Sequence, residues 1–147
     1  MTLKEKLSSD MKEALRSKDS LRLNTIRSVI AAIKNQEIDL RKELQGDEVL
    51  SIVTREVKKR KEASALFEQG GRMDLVEKEN QEHTILLAYL PEQASEEELR
   101  KRIQEVIAET GAEGMKDFGK IMKVLVPEFK GKADNGLIKN LAGEYLN

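Results

Sequence analysis

The sequence predicts an all-α protein built as two different helical bundles in series, about four N-terminal helices followed by three C-terminal ones. Three observations carry that prediction. Of the 147 residues, 36% are charged, 39% hydrophobic and only 3% aromatic, with no Trp and two Pro, a balance typical of charge-flanked amphipathic helices. Apolar residues recur at three- and four-residue spacing rather than alternately, the period of a helix face. N-cap residues and glycine stops punctuate those stripes.

Thr2-x-x-Glu5 is a capping box and opens a first helix carrying Leu7, Met11 and Leu15, expected to end near Ser17 and Lys18. A long second helix is expected over residues 19–44, with Leu23, Ile26, Ile30 and Ile33 on one stripe that continues to Leu40 and Leu44. Gly46 stops it and Asp47 caps the third helix. The third carries Leu50, Val53 and Val57, then Ser64 and Phe67, and runs out at Gly70-Gly71. A fourth covers residues 73–90 and ends at Pro91, which removes a backbone donor and disfavours helix before it.

Pro91 and the polar segment after it give the expected boundary between an N-terminal domain of residues 1–91 and a C-terminal module of residues 92–147. A second capping box, Ser95-x-x-Glu98, starts a helix over residues 96–110 with Leu99, Ile103, Val106 and Ile107 inward. Two shorter helices follow, over residues 116–126 and 135–146, the last capped by Asp134. No fixed-period repeat and no low-complexity tract argues for a solenoid or a linker.

Composition excludes some functions and leaves others open. Lys plus Arg, 26, nearly balance Asp plus Glu, 27, so no global positive field exists and nucleic-acid binding would need a local patch. The absence of cysteine removes thiolate nucleophiles and thiolate metal sites and fits a reducing compartment. The residues after Met1 form no apolar leader-like run, and no stretch approaches the roughly 20 apolar residues that span a bilayer. The expectation is therefore a cytoplasmic protein with no membrane partner.

No catalytic constellation emerges. Gly114 to Ile121 matches most of a P-loop, but Ile121 stands where the magnesium-binding hydroxyl belongs and no strand precedes it; helix punctuation is the better reading. His83 is the only histidine, which leaves neither the usual zinc sets nor a triad with distinctive spacing. No cofactor and no metal are expected. The candidate sites are instead cationic. Arg55, Lys58, Lys59 and Lys61, with Arg60 among them, form the densest positive cluster; it either contacts phosphate or is neutralised by Glu77, Glu79 and Glu82 of the next helix. In the C-terminal module Lys120, Lys123, Lys130 and Lys132 are the second group. Lys130-Gly131-Lys132 sits in a turn before a helix N-terminus, which suits an anion unless Asp134 caps that helix end instead.

Along the whole chain the order of short motifs resembles the small bacterial YqeY-like proteins: Leu7 to Met11, Arg27 with Ile33-Lys34 and Glu37-Ile38, and Lys58-x-Arg60-Lys61-Glu62. It continues with Gly71-Arg72-x-Asp74-Leu75, Tyr89-Leu90-Pro91, Asp117-x-Gly119-Lys120 and Lys130-Gly131-x-Ala133-Asp134. The resemblance implies two α-helical bundles and a C-terminal module shared with the tail of the GatB subunit of tRNA-dependent amidotransferases, a tail implicated in engaging tRNA. Its carry-over falls on Gly119, Lys120, Met122, Lys130, Gly131 and Ala133. One departure is Ala133-Asp134-Asn135-Gly136, where relatives tend to read Ala-Asp-Gly-Lys, so one lysine is missing from that turn. The family's catalytic subunit domains have no counterpart here. Three functional expectations follow. The first is an accessory tRNA-binding protein, acting alone or beside an amidotransferase or other translation-related protein. The second is a protein-interaction adaptor with a helical docking surface. The third is a carbon-nitrogen ligase using glutamine as amido donor, for which the residues supply no site.

Overall fold

The computed structural model describes all residues, 1–147, and contains seven α-helices, one 3₁₀ turn and no strand. The chain divides into two compact units, Met1–Leu90 and Pro91–Asn147, each with its own apolar core.

In the first unit, α1 (Leu3–Arg16), α2 (Ser20–Leu40), α3 (Asp47–Gln69) and α4 (Met73–Leu87) bury one face each. The Thr2 hydroxyl accepts the Glu5 N–H at 3.2 Å, the forward half of the capping box. Leu7, Ile26, Val29, Leu44, Val53 and Leu86 are all at most 1% exposed and meet in a single cluster. Burial of side chains of this size stabilises by about 1.5–3 kcal/mol each before entropy is counted. Pairing of α3 with α4 and of α1 with α2 dominates the packing.

Several boundaries depart from expectation. Helix α2 ends at Leu40 rather than at Leu44, because Arg41 takes a left-handed conformation, φ +54°. Gly46 therefore stops nothing; it lies beyond a connection and is itself the N-cap of α3, at φ +55°. Asp47 is the first helical residue, where its charge and that of Glu48 face the positive helix end. Leu44 is buried all the same, placed by Glu37, whose Oε2 accepts the Leu44 N–H at 2.8 Å and the Lys4 ammonium at 2.7 Å. The fourth helix closes at Leu87, with a turn holding Tyr89 and Leu90. The Tyr89 hydroxyl donates to Asp10 of α1, which Arg22 of α2 also approaches at 3.8 Å.

The second unit packs α5 (Glu96–Thr110), α6 (Phe118–Glu128) and α7 (Asn135–Leu146) around Leu99, Ile103, Ile121, Leu125 and Ile138, all 0% exposed. The Ser95 hydroxyl accepts the Glu98 N–H at 3.1 Å. Gly111, at φ +69°, ends α5 in the left-handed cap that glycine adopts without a side-chain penalty. A 3₁₀ turn, Met115–Asp117, leads into α6.

Candidate nucleic-acid interface

Helix α6 buries Ile121 and Leu125, and that register turns Gly119, Lys120, Lys123, Val124 and Pro127 outward. Lys120 and Lys123, three residues apart, lie on one face of this outward stripe. The Lys120 ammonium donates to the Thr110 carbonyl at 3.0 Å, so it sits on the negative end of α5 while remaining exposed. Lys123 and Lys132 are exposed, and no carboxylate lies within ion-pairing distance of either or of Lys120. Their surroundings contrast with Arg102, which holds Glu105, Glu109 and Glu128 at 2.7–3.3 Å, and with Arg100, bridged to Glu96 and Glu144.

Past α6 the chain turns through Lys130, Gly131 and Lys132. Gly131 is buried and at φ +76°, a backbone state in which a Cβ would be strained. The turn is fastened by residues the sequence reading did not single out: Gln93 Nε2 donates to the Gly131 carbonyl at 2.7 Å, and the Ala94 N–H to the Lys132 carbonyl at 2.9 Å. No spacing rule links positions 93 and 131, so nothing in the sequence signals that contact. The two lysines are thus exposed on a turn whose backbone is fixed.

Asp134 stands at the N-cap position of α7. Its Oδ2 lies 3.0 Å from where a Cβ on Gly136 would stand, but no side-chain hydrogen bond caps the helix there. The P-loop-like stretch is a 3₁₀ turn running into a helix, preceded by helix α5.

The cluster on α3 divides. Arg60 is gathered in by Glu56, Glu79 and Glu82 at 3.3–3.5 Å, and Lys59 pairs with Glu56 at 3.3 Å. Inter-helix neutralisation therefore occurs, through Glu79 and Glu82 and with Glu56 as an additional acid. Burial lowers the Arg60 pKa, yet Glu79, Glu82 and Glu56 outweigh it and hold the guanidinium above its ordinary value. Burial, and then Glu79, push the Glu82 carboxyl up. Arg55, Lys58 and Lys61 remain on the exposed surface. His83 is half-buried, its pKa lowered by burial and then by Lys61. No cluster of three or more His, Cys, Asp or Glu side chains is placed to hold a metal ion, and no helix is long and apolar enough to cross a membrane.

Over 134 residues the chain is 38% identical to altered inheritance of mitochondria protein 41, mitochondrial, of Kluyveromyces lactis, covering 84% of this chain and 72% of that protein. The protein of the same name from Eremothecium gossypii is 41% identical over 99 residues, 65% of this chain and 54% of its own length. That from Vanderwaltozyma polyspora is 32% identical over 152 residues, covering 96% and 80%. The chain thus spans between about half and four-fifths of the relatives it matches. These relatives overturn the cytoplasmic expectation, since they are named as mitochondrial proteins. Zero cysteine and a charged N-terminal stretch are compatible with more than one compartment, so composition could not discriminate between them. The model of the YqeY-like protein family matches residues 4–146, nearly the whole of the two helical units, and the chain belongs to that family.

Proposed function

We propose that this chain is an accessory RNA-binding protein whose second unit engages the phosphate backbone of folded tRNA. The observation that carries the reading is that Lys120 and Lys123 on α6, and Lys132 on the following turn, are each exposed with no carboxylate in pairing distance, in a unit where Arg100 and Arg102 are bridged by acids. Cations already held by carboxylates have little charge left to offer a phosphate, whereas these displace counterions on binding. Gly119 adds to it: a Cβ there would meet nothing within 4 Å, so packing within the unit does not require a glycine, and a partner's backbone can approach α6 closely. Contacts of this kind recognise shape and backbone, not base sequence. Arg55 and Lys61 supply a second, smaller cationic surface on α3.

The test is fluorescence anisotropy of labelled tRNA across a salt series, for the parent and for a Lys120→Ala/Lys123→Ala/Lys132→Ala variant. Three phosphate contacts predict a slope of log affinity on log salt of roughly −2 to −3, flattened towards zero in the variant. Absence of binding at low salt, or an unchanged slope in the variant, refutes the reading.

A further inference from the structure

We propose that Asn135 is a site of self-modification, losing its side-chain amide by cyclisation onto the backbone nitrogen of Gly136 and leaving a carboxylate in the first turn of α7. The step needs no enzyme. The Gly136 nitrogen attacks the Asn135 side-chain carbonyl carbon as its proton passes to a base in solvent; the new C–N bond closes a succinimide ring, and the side-chain nitrogen leaves as ammonia. Water then opens the ring at one carbonyl or the other, giving aspartate or isoaspartate.

Ahead of its last residue the chain has five asparagines, Asn24, Asn35, Asn80, Asn135 and Asn140, and all five are exposed. Exposure therefore selects none of them. The successor does: Thr25, Gln36, Gln81 and Leu141 follow the other four, and only Asn135 precedes glycine. Glycine puts no Cβ beside the attacking nitrogen and reaches backbone angles that other residues avoid.

Position in the fold separates them further. Asn24 and Asn35 lie inside α2, Asn80 inside α4 and Asn140 inside α7, where the successor's N–H is committed to the carbonyl four residues back. Asn135 and Gly136 are the first two residues of α7. The N–H groups of a first turn have no acceptor within the helix, and no side-chain hydrogen bond caps this one. A helical backbone does not aim the nitrogen at the preceding side chain, so ring closure requires the turn to open. Helix ends fray at little cost in free energy, whereas interior turns open only with more of the unit around them.

The change alters the charge of its surroundings. Aspartate at this position meets the positive end of α7, while isoaspartate adds a methylene to the main chain and breaks the helical repeat there. Both products carry a negative charge that the amide lacks, three residues beyond Lys132, and make the Lys130–Lys132 segment less positive.

In the test the full chain is held for several weeks at physiological temperature, at neutral and at mildly alkaline pH, and then digested with trypsin. Cleavage after Lys132 and Lys139 releases residues 133–139, with Asn135 as the one asparagine. Mass spectrometry reads the amide-to-acid conversion, and chromatography separates the aspartate and isoaspartate peptides. The expected result is conversion at Asn135 about tenfold or more faster than at Asn24, Asn35, Asn80 or Asn140, rising with pH and with isoaspartate among the products. A Gly136→Ala variant should slow it by about tenfold or more. The added Cβ would stand 3.0 Å from Asp134 Oδ2, the movable end of a side chain, and circular dichroism checks that the helices remain. In denaturing urea the four interior asparagines should speed up more than Asn135, because they lose the greater protection. A retained amide at Asn135, conversion spread evenly over the five sites of the native chain, aspartate without isoaspartate, an unchanged rate in Gly136→Ala, or an acceleration in urea greatest at Asn135 overturns the proposal.

Discussion

Replacing Arg60 by Met tests how the first unit holds its buried acids. Met keeps an unbranched apolar stem against the α3–α4 seam but leaves Glu56, Glu79 and Glu82, with side chains 6%, 12% and 11% exposed, without their shared cation. Removing one partner of a fully buried ion pair costs about 3–5 kcal/mol. Arg60 keeps 25% of its side chain in solvent, and Lys59 still reaches Glu56, so screening reduces the expected cost to about 2–3 kcal/mol. At 1.36 kcal/mol per factor of ten, α3 amides would lose about 30–150-fold in hydrogen-exchange protection at pH 7. The penalty should shrink on acidification. Burial and then Glu79 raise the Glu82 carboxyl above its ordinary value of 4.5, so in the folded state Glu82 takes up a proton before an ordinary carboxyl does, and the protonated form needs no cation. Adding Glu82→Gln to the Arg60→Met chain should likewise recover part of the loss at pH 7. A penalty below about 1 kcal/mol, or one equal at pH 7 and near pH 4.5, would refute the view that the three acids depend on this guanidinium.

Tyr89→Phe removes the hydroxyl that Asp10 accepts and should cost about 1–2 kcal/mol in urea unfolding. Burial and then the Asp10 hydrogen bond raise the Tyr89 phenol above its ordinary value of 10.0; the unfolded chain therefore ionises first, and stability should fall as pH rises past about 10, a loss that the Phe variant lacks. Glu37 behaves in the opposite sense: Lys4 first, then the Leu44 N–H, lower its carboxyl pKa. Its stabilisation is present above the ordinary 4.5 and disappears as pH falls through the lowered value. Glu37→Gln should accelerate exchange at the Leu44 amide near neutral pH and leave α6 unchanged. In α7, Gly143 lies within the helix, and a Cβ there would meet nothing within 4 Å, so Gly143→Ala should stabilise the second unit by about 0.5–1 kcal/mol in the same urea assay.

The helices were legible in the sequence because their signals are local. Thr2 and Ser95 accept the N–H groups three residues on, as a capping box requires, and the α5 stripe of Leu99, Ile103 and Val106 is buried as its period demands. The end of α2 was not legible: Arg41 reverses the chain in a conformation usually taken by glycine, and the reason lies at a distance, in Glu37 holding Leu44 and Lys4. The candidate site was legible in kind but not in state. Lys59 and Lys123 are the same residue type on exposed helix faces, yet one is paired with Glu56 and the other with nothing. That difference depends on which carboxylates the folded chain brings alongside, which no single-helix pattern encodes.

The hydrogen bonds from Gln93 and Ala94 to the Gly131–Lys132 turn bear on how this protein should be dissected. Helix boundaries alone would suggest cutting before Ser95. A fragment starting there would leave the Gly131 and Lys132 carbonyls without these two donors and free the loop that presents the lysines. One beginning at Pro91 retains both clasps, so a comparison of the two fragments for tRNA affinity would report how far a preset loop shape, at constant charge, contributes to binding.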